Sequence, residues 1–117
     1  KLEKGEEPLP AAVRELGEET GLEAGRMIDL GAVCTSPGFS TEVLHIYLAL
    51  DLRQGDAHPD EDEFLNVEKH SLDTLTKMVM AGEIDDAKTI IAVLKAGKYL
   101  EAEEWREKSL SSMTNAQ

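Results

Sequence analysis

KLEKGEEPLPAAVRELGEETGL, Lys1 to Leu22, is the stretch from which the rest of the chain is read. Leu9, Ala12, Val13, Leu16 and Thr20 recur at helical spacing, which predicts an amphipathic helix over Pro8–Thr20 with one packed face. Pro8 suits the first turn, where its missing N–H is no loss, and Gly21 suits a left-handed stop after the last turn. Glu15 and Glu19 stand four apart and Glu18 three from Glu15, so their carboxylates gather on one side. Like charges so placed repel, and an isolated helix carrying all three is destabilised. A divalent cation removes that repulsion, and hard oxygen ligands favour magnesium or manganese. Arg14, four residues before Glu18, is also placed to steer Glu6 or Glu15.

A run of charge usually marks a solvated helix face. Here the ordered positions are Glu6, seven residues, Arg14-Glu15, Leu16, one residue, Glu18-Glu19, one residue, Gly21 and Leu22. With each charged or Gly position met about one time in fifteen, a chance match is on the order of one in 10^8. The pattern resembles the signature box of the Nudix hydrolases, GX5EX7REUXEEXGU, where U is a bulky aliphatic residue. Every position matches except the opening Gly, which would lie one residue before Lys1.

The resemblance covers about Lys1 to Leu94. It implies an α/β fold, the Nudix α/β/α sandwich with a mixed sheet. It also implies that the N-terminal strands are missing from this chain, together with the backbone carbonyl before the box Gly that commonly binds metal. Residues 1–108 are then the C-terminal part of a Nudix domain that starts inside the box, and 109–117 a flexible tail. The implied reaction is metal-dependent hydrolysis of a nucleoside diphosphate linked to another group. Glu15 and Glu19, with Glu18, are the implied metal ligands, and Glu18 and Arg14 belong to the implied catalytic set.

Two loops refine this. Pro37 in SPGFSTE, Ser36 to Glu42, falls fifteen residues after Leu22. A proline about there marks the ADP-ribose pyrophosphatase branch of the family. Pro37 and Gly38 fix a turn at a strand end, where Phe39 presents an apolar face to a nucleoside or ribose, and Glu42 completes the implied substrate-binding set. The bland alternative is an ordinary strand-terminating turn. The second loop, Asp60-Glu61-Asp62-Glu63, reads on composition as solvated surface. In the resembled branch a Glu from this loop swings in as base or metal ligand, which makes Glu61 the expected base and Glu63 an expected metal contact and runner-up. A mobile loop suits that role because it closes only over substrate.

The net charge of −12 argues against a nucleic-acid polymer or an anionic membrane as partner. It leaves room for a small anion whose contact is neutralised by metal. Cys34 is alone, so no intrachain disulfide forms and a reducing cytoplasm is the default; Cys34 itself is expected to be an ordinary buried small residue. No signal peptide or membrane-length apolar run is visible in the sequence.

Downstream, the pattern predicts a polar turn over 23–26, a strand over 27–35 weakened by Gly31, and a strand over 43–52. In the second strand Leu44, Ile46, Leu48 and Leu50 face one way and Val43, His45, Tyr47 and Ala49 the other, as in an inner strand. An acidic loop over 53–63 and a short strand over 64–67 follow. Ser71 or Asp73 caps a helix to about Ala81, stopped by Gly82. A second helix runs from Ile84 to Leu94, interrupted by Gly97 and resuming over 99–108. His45, His58 and His70 lack metal-ligand spacing and read as structural or surface, and Trp105 as the outer face of a helix.

Taken with the resemblance, the expected activity is magnesium-dependent (or manganese-dependent) hydrolysis of ADP-ribose or a related ADP-sugar to AMP and ribose 5-phosphate by metal-activated water. Enzymes of this branch are usually homodimers with exchanged N-terminal segments. The rivals are a Nudix hydrolase for another nucleoside diphosphate compound and a non-catalytic module that senses ADP-ribose. A sensor should have lost box carboxylates, and here they are all present. An acidic calcium binder is disfavoured by the absence of EF-hand loop spacing.

Overall fold

Pro8 opens the first helix, α1, which spans Pro8–Thr20 as the spacing predicts. The computed structural model describes residues 5–55 and 67–115, with side chains up to 109. Glu7 precedes the helix in an extended conformation and its side chain makes no cap. At the other end Gly21 adopts φ 73°, ψ 10°, and its N–H donates to the Gly17 carbonyl at 2.9 Å. This is the single-bond left-handed stop, open to glycine because a Cβ is penalised there.

The chain passes from that stop directly into strand β1, Leu22–Cys34, which pairs antiparallel with β2, Val43–Gln54. The ladder runs from Leu22 opposite Gln54 to Cys34 opposite Val43. The polar turn expected over 23–26 is therefore corrected: Ala24 pairs with Leu52 and Arg26 with Leu50. A partner strand supplies ladder bonds that local propensity does not foresee. Gly25 serves this pairing by lacking a side chain, since a Cβ there would lie 2.9 Å from the Cβ of Asp51. Asp51 itself has φ 55°, the only positive value at a described non-glycine residue.

Gly31 makes a bulge in β1. Between the pairs Asp29–Tyr47 and Ala32–His45, Leu30 and Gly31 oppose Ile46 alone. Gly31 sits at φ 101° and donates its N–H to the Asp29 carboxylate at 2.7 Å. One extra residue of this kind bends the strand and raises its twist.

α1 lies against β1, and Ala11 and Ile46 are the buried apolar side chains among the described residues of this unit. The buried helix position is Ala11, off the expected stripe, while Leu9 and Val13 stay about half exposed. Among the described residues β2 has β1 as its one neighbour, so the inner strand expected there is an edge of a two-stranded sheet. Cys34, expected to be buried, is exposed. It is the last residue of β1, next to a loop whose residues 35–42 are all exposed.

Residues 70–117 form a second compact unit, Lys1–Lys69 being the first. Its helix α2, Leu72–Met80, is capped by Ser71, whose Oγ accepts from the Thr74 N–H at 3.1 Å. It ends in a Schellman motif: Gly82 at φ 79° donates to the Val79 carbonyl, and Glu83 to Met78. Helix α3 spans Ala87–Asn115. Asp86 precedes it and accepts from both the N–H (2.9 Å) and the hydroxyl (2.7 Å) of Thr89. These bonds, the side-chain one first, hold the Asp86 carboxyl below its ordinary range. The helix expected from Ile84 thus starts three residues later, and Gly97 does not interrupt it. α2 and α3 pack on each other around Val93, the buried residue among those described in this unit. The expected strand over 64–67 falls mostly outside the described residues, and Val67 is not in a strand.

Candidate active site

Ala12, Glu15, Leu16 and Glu19 stand at i, i+3, i+4 and i+7 of α1, which places them on one face. That face forms one wall of a cleft of about 250 Å3. The opposite wall is the sheet: His45, Tyr47 and Ala49, alternating along β2, with Met27 paired across from Ala49. Glu15 and Glu19 are thereby brought to a common space. The Tyr47 phenol is held above its ordinary pKa by partial burial and by the charge of Asp29, its cross-strand partner. His45, expected to be structural or surface, is exposed and lines this cleft. Period-two alternation placed it on the same face as Tyr47, but only the packing of α1 over that face made it part of a site.

Arg14 organises the flank of the helix. Its Nε and Nη2 donate to the two carboxylate oxygens of Glu6 at 2.8 and 2.9 Å, a bidentate pair. Its Nη1 donates to Glu18 at 2.8 Å, and Nη2 lies 3.7 Å from Glu15. The Glu6 side chain is 16% exposed and that of Arg14 27%, so water screens this pair less than a surface one. Glu18 is about half exposed, bound by Arg14, and outside the cleft lining. The three box carboxylates of α1 therefore divide: Glu15 and Glu19 face the cleft, and Glu18 is drawn to the arginine.

The loop Ser36–Glu42 joins β1 to β2. The Ser36 carbonyl accepts from the N–H groups of Phe39 and Ser40 at 3.0 and 2.9 Å, and Gly38 takes φ 85° at the turn. Thr35 donates to the Glu42 carboxylate at 3.0 Å across the base of the loop. Pro37, Gly38 and Glu42 are exposed, and Phe39 is 97% exposed. None of them lines the cleft. His45 is three residues from Glu42 along β2, about 10 Å of extended chain, so the loop adjoins the cleft's edge. Glu61 and Glu63 lie outside the described residues.

Among the described residues, no three His, Cys, Asp or Glu side chains come together to hold a metal ion. Glu15 and Glu19 supply two hard oxygen donors on one wall. Their chemistry fits a magnesium- or manganese-type cation, and two donors fall short of a complete shell.

A family model described as NUDIX domain matches residues 1–93 of the chain. The chain belongs to this family. Two relatives are 43% identical to this NUDIX chain over 106 residues, covering 89% of it and 55% of each relative. One is described as ADP-ribose pyrophosphatase, from Bacillus subtilis (strain 168), and the other as methanol dehydrogenase activator, from Bacillus methanolicus. The NUDIX chain thus spans about half the length of these curated relatives. In fold it is similar to a solved structure described as crystal structure of ADP compounds hydrolase. The TM-score is 0.75 at 24% identity, covering 87% of this chain and 55% of that one. The α/β Nudix fold expected from the box is therefore the fold of this chain. Among the described residues no helix is long and apolar enough to cross a membrane.

Proposed function

We propose that this chain forms the catalytic part of a divalent-metal-dependent hydrolase that cleaves the diphosphate of ADP-ribose, or a related ADP-sugar, into AMP and ribose 5-phosphate. The observation that carries the reading is the placement of Glu15 and Glu19 together on one wall of the cleft, within a box complete from Glu6 to Leu22. The ADP-ribose assignment is supported by the position of Pro37 and by the description of the Bacillus subtilis relative. Glu15 and Glu19 would hold magnesium or manganese, with Glu18 and Glu63 as further ligands. When bound, the ion would screen the diphosphate and lower the pKa of a coordinated water.

The chain's own groups do the rest. Glu61 would take the water's proton and align attack on phosphorus, with Glu63 as runner-up. Arg14 would act at one remove, fixing Glu6 and Glu18 and steadying the helix flank beside Glu15. Pro37, Gly38, Phe39 and Glu42 would shape the nucleoside or ribose end of the site, the open ring of Phe39 offering a stacking face. We read residues 1–108 as one domain and 109–117, into which α3 continues as far as Asn115, as its tail, in a cytoplasmic homodimer.

The test is a panel of ADP-ribose, GDP-mannose and a dinucleoside polyphosphate with magnesium, read as phosphate release after phosphatase coupling. ADP-ribose should give the fastest release. Faster release from another compound moves the substrate, binding of ADP-ribose without release fits a sensing module, and neither binding nor release from any compound sinks the reading. The relative described as methanol dehydrogenase activator favours a second reading, in which the chain raises the rate of a dehydrogenase. That rate, measured with and without the protein, decides it.

A further inference from the structure

The two walls of the cleft differ in what they offer a ligand. The helix wall brings the carboxylates of Glu15 and Glu19, which when ionised only accept hydrogen bonds. Of the eight lining residues, Ala12, Leu16, Met27 and Ala49 are apolar, and His45 and Tyr47 alone carry side chains that donate. Arg14, the nearest cation on α1, has all three guanidinium nitrogens engaged with Glu6 and Glu18 and does not line the cleft. Any anionic oxygen entering the cleft therefore meets its protein hydrogen-bond donors on the strand side.

Size narrows what enters. At roughly 30 Å3 per water, 250 Å3 holds about eight waters. Sites that enclose a whole drug-sized ligand run to about 300–1,000 Å3. A nucleotide sugar exceeds this cleft, whereas a diphosphate with its cation is of the right order. An acceptor wall facing a donor wall is also the arrangement such a pair requires, cation toward carboxylates and phosphate oxygens toward O–H and N–H.

We infer that Tyr47 and His45 form a donor wall that binds the diphosphate oxygens of the substrate across the cleft from Glu15 and Glu19. This rests on the hydrolase reading above and adds the residues that grip the anion. Tyr47 and His45 sit two apart on β2, about 6.5 Å along the strand, a spacing that lets each reach a different phosphate of one diphosphate group. The bulge of β1 at Leu30–Gly31 lies opposite Ile46, between the two donors, and bends β1 beside them.

Three measurements on the full chain test this: Mn2+ binding by electron paramagnetic resonance, the affinity of the methylene-bridged analogue of ADP-ribose with magnesium, and steady-state kinetics. Tyr47→Phe and His45→Leu should each weaken the analogue about tenfold or more, the scale of a lost bond to a charged group, and raise KM in step. Both should keep Mn2+ binding, and His45→Gln, which retains a donor, should stay near wild type. Glu19→Gln marks the opposite wall and should lose Mn2+. Analogue weakened with Mn2+ retained, in either variant, supports the donor wall. Unchanged affinity in both variants overturns it while the hydrolase reading stands. A variant that loses Mn2+ together with the analogue places its residue in support of the fold and overturns its donor role. A wild-type chain that binds neither Mn2+ nor the analogue overturns the hydrolase reading itself.

Discussion

The cleft between α1 and the strands and the groove between α2 and α3 enclose about 250 and about 360 Å3, and the smaller one holds the carboxylates Glu15 and Glu19. The groove is lined by Leu72, Thr76, Val93, Leu94 and Gly97 together with Asp73, Lys98 and Glu101. Those charges are matched within their own helices, Asp73 to Lys77 at 3.0 Å and Lys98 to Glu101 at 3.4 Å. Exposed pairs of this sort contribute about 0–1 kcal/mol and leave little to recognise a ligand. In the cleft, by contrast, the carboxylates on one wall meet no cation on the other. Volume alone does not separate the two concavities; carboxylates that face a wall carrying no cation do.

If that contrast is right, variants of the first unit should change turnover and variants of the second only stability. The largest effect belongs to Glu19→Gln, which should depress turnover of ADP-ribose by several orders of magnitude while the thermal melt survives. Removing one of several clustered like charges relieves repulsion when no metal is bound. Turnover within a few-fold of wild type would remove the cleft from the mechanism. Next come the two loop acids. Replacing a general base costs about 10²- to 10⁴-fold in rate at neutral pH. Glu61→Gln should fall in that range and recover partly at high pH, whereas Glu63→Gln should recover with added magnesium. Exchanged responses, read from kcat across pH and magnesium, would make Glu63 the base.

Gly25→Ala sharpens the comparison on the stability side. The new Cβ would press on the Asp51 Cβ at 2.9 Å, within the pairing that carries the donor strand. A loss of about 1–3 kcal/mol is expected in urea unfolding. A neutral result would mean that β2 shifts at no cost. Phe39→Ala should be smaller still: KM should rise more than kcat falls, with unchanged stability, because the ring is almost wholly exposed. An equal fall in kcat and kcat/KM would place the ring in transition-state positioning. The smallest effect is a gain. Gly97→Ala should stabilise the protein by about 0.5–1 kcal/mol without touching turnover, since its Cβ would meet only Leu72 Cδ2 at 3.9 Å. Lost turnover there would undo the division between the two units.

Much of this was legible in the order of residues because it is local. The bounds of α1, its Pro8 start and its Gly21 stop follow from backbone preferences that act within one or two turns. The Ser71 cap and the Gly82 stop of α2 are of the same kind. The box spacing likewise put Glu15 and Glu19 on one face before any partner was known. What failed was whatever depends on a distant segment. The polar look of 23–26 favours a turn until Leu50, Leu52 and Arg53 are brought alongside. Gly97 weakens a helix by about 1 kcal/mol, too little to break one that packs on α2 around Val93.

The sequence by itself therefore determined α1 and α2, their ends and which carboxylates share a helix face, since each depends on dihedral preference and a period of 3.6. Only the tertiary structure decided that the face carrying Glu15 and Glu19 forms the wall of a cleft, whereas the reach of Arg14 to Glu18 is local to α1. It alone set the bulge opposite Ile46 and the positive φ of Asp51 across from Gly25. It alone laid His45 and Tyr47 against the acidic face of α1. Those outcomes come from pairing and packing between segments that lie tens of residues apart, where no local period carries a signal.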